Sequence, residues 1–225
     1  MTFTSVVYAR SVKGKAIRLG VSGRLLDFNL VMWDPETDSL WSQMTGKALY
    51  GPAKKKGLAL DVMPSLFVSF SMWKALHPNT DVLDLPPVRS KGWHFTTKTL
   101  VKGKNRYGDA LGLAVESGGD AVAVSYEAMR GQGAVQPPMK HLAPVFVWIP
   151  KYSSAVVYDA RIEGKPLHFA MKEGLLVDAS SGRKFDPLTG KEVGKPQGAV
   201  LARLNAMPAV LDFWKDAHPS GRVVR

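Results

Sequence analysis

The chain has 225 residues, no cysteine, and 30 Lys and Arg against 19 Asp and Glu, a formal net charge of +11. The lack of cysteine removes disulfides, thiolate metal centres and cysteine nucleophiles together, and no run of about 18 apolar residues is present to encode a transmembrane helix. An anionic partner is electrostatically favoured, although the charges are scattered in the manner of a solvated surface rather than gathered in blocks.

Taken from the start, residues 1–5 lead into Val6-Val7-Tyr8 without the basic start, apolar run and small-residue cleavage site of a signal peptide. A cytoplasmic protein is therefore expected if the chain is complete as given. A turn at Lys13-Gly14-Lys15 precedes Ile17, Leu19 and Val21, which alternate with Arg18, Gly20 and Ser22, the period of a half-buried strand. Residues 33–47, WDPETDSLWSQMTGK, hold two turn signals around the short apolar piece Leu40-Trp41. Asp or Ser opens each turn by accepting backbone N–H groups, Pro presets φ, and Gly closes it, the pattern of hairpins in series. Leu58, Leu60 and Val62 then alternate, and Met63-Pro64 leads into a helix with Leu66, Phe70, Trp73 and His77 at helical spacing, ending before Pro78.

The stretch from Leu85-Pro86-Pro87 to about Pro144 has a different character. Thr99-Leu100-Val101 and Arg106-Tyr107 flank a turn at Lys102-Gly103-Lys104-Asn105, residues 110–115 are expected as a short helix, and residues 121–126 as a strand. Gly131-Gln132-Gly133 and Pro137-Pro138 mark an exposed loop. Residues 145–149 form a buried strand.

Beyond it the first pattern returns. Val156-Val157-Tyr158, the turn Glu163-Gly164-Lys165, the alternation of Leu167, Phe169 and Met171, and residues 177–191, VDASSGRKFDPLTGK, correspond to the first half. Ala202, Leu204 and Ala206 are matched to Leu58, Leu60 and Val62, Met207-Pro208 to Met63-Pro64, and Val210, Trp214 and His218 to the first helix. The expected fold is mainly β (β-rich α+β): two tandem related β modules, each ending in a short helix, joined by a mixed connecting segment. The boundaries are residues 1–84 for the first repeat, 85–143 for the connecting segment packed on the repeats, and 144–225 for the second repeat. Trp73 and Trp214 recur at one helical position and are expected as core anchors.

The chemistry-bearing residues divide by the same logic. Asp34, Glu36 and Asp38 alternate as oxygen ligands for calcium would, but the turn explains Asp34 and no EF-hand loop follows, so no metal site is assigned. The five histidines never fall at metal-ligand spacing, and His77 and His218 sit at helix ends where a cation is favoured. Gly20-Val21-Ser22-Gly23 is one residue short of a nucleophile elbow and has no following helix. No catalytic residue and no cofactor are assigned. Binding candidates concentrate in the first repeat because its hairpin is longer than its counterpart: Asp27, Asn29, Trp33, Asp34, Trp41, Ser42 and Gln43, joined by the cationic run Lys54, Lys55 and Lys56, which the second copy lacks.

The residues Gly20-Val21-Ser22-Gly23, Met32-Trp33-Asp34, Glu36-Thr37, Ser39-Leu40-Trp41-Ser42-Gln43, Thr45-Gly46, Gly51-Pro52, Trp73 and His77-Pro78 resemble the prokaryotic domain-of-unknown-function family 3179. The resemblance covers most of both halves. It implies a two-part layout, carries no established activity, and points to an extracytoplasmic location, since members often look exported. Members commonly place a Cys-Pro-Leu-Cys motif just before the position of Val6, which this chain lacks, so a thiol-based role is excluded here. The family's Asn and Asp are also exchanged at Asp27 and Asn29.

The function expected from these features is that of a non-catalytic binding or accessory protein, a subunit of a larger assembly, with its basic surface toward an acidic protein partner. One alternative is a hydrolase or carbohydrate-active enzyme using a first-repeat pocket around Asp27, Asn29, Asp34, Ser42 and Gln43. Nucleic-acid binding through Lys54, Lys55 and Lys56 is a further, less favoured alternative.

Overall fold

The computed structural model describes residues 5–83, 103–104 and 110–225. Among them the chain is mainly β, with several sheets and four short helices. The strands expected around Lys102-Gly103-Lys104-Asn105 lie almost wholly outside the described residues.

The N-terminal hairpin, β1 (Ser11–Val12) and β2 (Lys15–Ala16), turns through Lys13 at φ 49° and Gly14 at φ 77°. Next comes an antiparallel meander of β3 (Gly20–Leu26), β4 (Asn29–Asp34), β5 (Ser39–Ser42) and β6 (Ala48–Tyr50). Two consecutive positive φ angles, 48° at Asp27 and 59° at Phe28, set the β3–β4 turn. Turns of that hand match the right-handed twist of the strands they join. Helix α1 (Pro52–Lys55) follows, its backbone tied to the sheet where Ala53 N–H donates to Ser39 Oγ at 3.0 Å. Trp41, Ile17, Ala53 and Leu60 are buried together inside this unit, with Tyr8 and Met32 against them.

The C-terminal region holds a comparable hairpin and meander. Strands β12 (Arg161–Ile162) and β13 (Lys165–Pro166) turn at Glu163 and Gly164, with φ 52° and 77°. Strands β14 (Phe169–Lys172), β15 (Leu175–Asp178) and β16 (Lys184–Phe185) form a three-stranded meander. Several main-chain bonds have counterparts in the two regions. Gly46 N–H donates to Ser42 O at 2.9 Å and Gly190 N–H to Asp186 O at 2.8 Å; Leu60 N–H reaches Gly46 O and Leu201 N–H reaches Gly190 O, both at 2.9 Å. Met63 N–H meets Val7 O, and Leu204 N–H meets Val157 O, both at 2.8 Å. Tyr8 OH donates to Gln43 O at 2.8 Å, and Tyr158 OH donates to Pro187 O at 3.0 Å. In each case the tyrosine ring covers a glycine with positive φ, Gly46 or Gly190, at which a Cβ would stand 2.7 or 2.9 Å from the ring.

These bonds correct one matched strand. Leu60 takes the place of Leu201 rather than Leu204, so Met63 corresponds to Leu204, and Met207-Pro208 has a separate role. Met207 opens β18 (Met207–Val210), a paired strand, while the helix after Met63-Pro64 begins only at Phe70, capped by the Ser69 hydroxyl.

Two four-stranded sheets fill the centre. One runs in the order β17 (Ala202–Arg203), β11 (Ser154–Asp159), β10 (Pro144–Ile149), β9 (Ala134–Val135). The other runs β18, β7 (Leu111–Ser117), β8 (Asp120–Ser125), β19 (Arg222–Val224), with β19 parallel to β8. The helix expected at residues 110–115 is therefore a strand. Leu111 through Val115 are all buried, between partners β8 and β18, and a short apolar run buried on both faces carries no period that separates strand from helix. The expected loop at Gly131-Gln132-Gly133 is the end of a helix, α3 (Tyr126–Gln132), closed by Gly133 at φ 74°.

The helices reach across the halves. Met72 of α2 (Phe70–Leu76) is fully buried with Phe169, Leu176 and Phe185 of the second meander. Phe213 of α4 (Leu211–Ala217) stacks on Phe28, at the tip of the first meander, with centroids 4.7 Å apart. Trp214 in α4 is fully buried, whereas Trp73 in α2 is half-buried and lines a groove with Arg203 and Asn205. Only Trp214 is a core anchor. No helix among the described residues is long and apolar enough to cross a membrane.

Candidate binding surface

Strand pairing fixes which side chains of the first meander share a face, because directly opposed residues project to the same side. Gly20 opposes Trp33, Trp33 opposes Leu40, and Leu40 opposes Tyr50. The next row, Met32 and Trp41, points the other way into the core. Trp33, 39% exposed, and Tyr50, 67% exposed, therefore stand on the outer face, and with Arg24 they border one shallow groove.

The indole of Trp33 is held from two sides. Its Nε1–H donates to Asp38 Oδ1 at 2.8 Å, and a Cβ on Gly20 would lie 3.7 Å from its Cε3, so the ring rests over the bare backbone of β3. Val21, 74% exposed, also borders this groove.

The other proposed site residues separate. Asp27 is exposed at the hairpin turn, where its carbonyl accepts Asn29 Nδ2–H at 2.8 Å. Asn29 is buried, and its Oδ1 has no hydrogen-bond partner. Asp34, also buried, accepts Glu36 N–H at 2.8 Å, Thr37 N–H at 3.2 Å and the Thr37 hydroxyl at 2.6 Å. Ser42 Oγ accepts Thr45 N–H at 3.2 Å, and Gln43 gives its carbonyl to Tyr8 and its N–H to Leu30 O. Asp34 and Ser42 thus spend their side-chain oxygens on their own turns. Trp41, 1% exposed, belongs to the core and not to the ligand surface expected of it.

The alternating carboxylates likewise take three different partners. Asp34 caps its turn, Asp38 holds Trp33, and Glu36 pairs with Arg18 Nε at 2.8 Å, a bond that lowers the Glu36 pKa to about 2. Among the described residues no group of three or more His, Asp or Glu is arranged to hold a metal ion.

Lys54 and Lys55 lie in α1 and Lys56 closes it, all three exposed. They follow Tyr50 directly along the chain. None of them, nor Arg24, forms an ion pair among the described residues.

Residues 1–219 match the model of a family described as protein of unknown function, DUF3179. The chain belongs to this family. No curated protein and no solved structure matches it. The family description assigns no chemistry, so the surface has to be read from this chain's own residues. Sequence reasoning singled out Trp33 and the three lysines and did not single out Tyr50, Leu40 or Arg24. The signal available was strand register: once residues 35–38 are a turn, Trp33 faces Leu40, and a further hairpin brings Tyr50 into the same row.

Proposed function

We propose that this member of the DUF3179 family is a non-catalytic binding or accessory protein, a subunit of a larger assembly, built from two related β modules and engaging an acidic partner through the outer face of the first. The observation that carries this reading is the pair Trp33 and Tyr50, exposed on either side of half-buried Leu40 on a sheet whose opposite face already supplies the core. An aromatic pair on an outer face adds nothing to that core, and large apolar side chains gathered on a surface mark contact sites. Arg24 beside the row and Lys54, Lys55 and Lys56 beyond it supply cations without carboxylate partners among the described residues. Such charges steer and orient an acidic partner more than they add raw affinity.

Native co-purification of the full chain tests this reading. Tyr50→Ala combined with Trp33→Ala should abolish recovery of the partner, while Lys54→Ser, Lys55→Ser and Lys56→Ser together should reduce recovery and flatten its salt dependence. A partner recovered equally by both variants would place the contact elsewhere.

A further inference from the structure

We propose that the acidic partner of this face is a linear polysaccharide bearing carboxylates, laid across the strands along the row from Trp33 to Tyr50; this rests on reading that face as the binding surface. Trp33 and Tyr50 stand on strands separated by one other, so their backbones are about 10 Å apart. That span is close to the advance of two sugar rings in an extended β-linked chain, so alternate sugars can each meet an aromatic ring. Sugar rings offer flat C–H faces to the electron-rich face of an aromatic side chain. Trp33 suits this use because Gly20 beneath it and Asp38 at its N–H fix the ring before any ligand arrives. A ring held in advance loses little freedom on binding.

The polar groups narrow the choice further. Asp38 is exposed in the groove and uses Oδ1 for the indole, leaving acceptor capacity at Oδ2. An ionised carboxylate accepts hydrogen bonds and donates none, so the ligand must bring donors to the edge of Trp33. Sugar hydroxyls do so at every ring. Arg24 lies at the β3 side of the row and Lys54, Lys55 and Lys56 follow its β6 end, so acidic groups spaced along the ligand would find cations at both ends. The fold does not demand these features. The corresponding row of the second module is Ala170, Val177 and Lys184, with no aromatic ring.

The test uses the full chain with β-1,4-linked oligoglucuronate and oligomannuronate, a neutral cello-oligosaccharide and a single-stranded oligothymidylate, followed by calorimetry and affinity electrophoresis. The acidic oligosaccharides should bind, and Trp33→Ala or the more exposed Tyr50→Ala should each weaken binding by about tenfold, the scale of one stacked ring. The triple lysine-to-serine variant should bind with a shallower salt dependence. Circular dichroism confirms that each variant is folded. Binding to oligothymidylate alone, or to none of the four probes, overturns the proposal. If none binds but native partner recovery still requires Trp33 and Tyr50, the face is a protein-docking surface; if recovery is also indifferent to them, the binding-surface reading fails as well.

Discussion

The two meanders make several corresponding main-chain bonds and differ in what they show to solvent. Inward, Met32 and Trp41 of the first stand where Leu176 and Phe185 stand in the second, and the Tyr8 and Tyr158 hydroxyls make the same reach. Outward, Gly20, Trp33 and Leu40 are replaced by Ala170, Val177 and Lys184. The inner row is what the fold requires of either copy, so the outer row of the first is free for another use. The second copy also holds its third strand with a buried carboxylate: Glu192 takes Arg183 at 2.7 Å and Lys195 at 2.8 Å, bonds that lower its pKa to about 2. The first copy has Ala48 and Ser39 at those places.

The largest test of this comparison concerns the helices. Trp214 is fully buried, packed so closely on Gly221 that a Cβ there would stand 2.6 Å from the indole, while Trp73 is half-buried and donates its N–H to Thr80. Trp214→Ala should cost about 3–5 kcal/mol in urea unfolding, and Trp73→Ala about 1–2 kcal/mol for partial burial and one hydrogen bond. Equal losses would erase the distinction.

The tyrosines should behave alike. Removing the hydroxyl by Tyr8→Phe or Tyr158→Phe should cost about 1 kcal/mol in each module, the net worth of a hydrogen bond. A loss confined to one module would show that the shared bonds are not equally used.

A smaller difference is gated by pH. His218 caps α4 with both imidazole nitrogens on acceptors, Nδ1 at 2.9 Å from Trp214 O and Nε2 at 2.9 Å from Glu116 Oε1. Both bonds are donated only by the imidazolium. Burial lowers the His218 pKa, but the hydrogen bond and charge of Glu116 outweigh both that and the repulsion from Lys47, so the folded value is raised. Stability from this group is complete below the unfolded value near 6.5 and is lost as pH rises through the raised folded value. The melting-temperature gap between the wild type and His218→Gln should therefore be widest in mild acid and narrow toward alkaline pH. A gap independent of pH would mean that the neutral imidazole serves equally well.

The smallest effect on stability is expected at the three lysines. Replacing Lys54, Lys55 and Lys56 by Ser should leave unfolding stability within about 0.5 kcal/mol. A larger loss would give the lysines a structural duty that their exposure does not show.

Turn chemistry made much of each module legible in the sequence. Lys13-Gly14 and Glu163-Gly164 turn with the expected positive φ, and Asp34, Asp178 and Asp186 accept the backbone N–H groups of their own turns. Register over longer distances was less visible. The Met-Pro pairs invited an alignment three residues out of step, because alternation in residues 58–62 fits either choice and the bonds from Leu60 to Gly46 and from Met63 to Val7 decide between them. The central strand at residues 111–115 is apolar on both faces and so carries no period. For the surface, residue type misled where strand parity was needed: Trp33 and Trp41 are alike in sequence, yet opposite faces of the sheet send one outward and the other into the core.

The account rests most on the outer face of the first module being the contact surface and that of the second not being one. Photo-crosslinking in the native cell addresses this directly, because a benzophenone side chain inserts into nearby C–H bonds of protein and polysaccharide alike. With benzoylphenylalanine substituted separately at Tyr50 and at Lys184, both exposed on their outer rows, the account predicts covalent adducts from position 50 and none from position 184. Adducts from position 184 alone, or from neither, would contradict it.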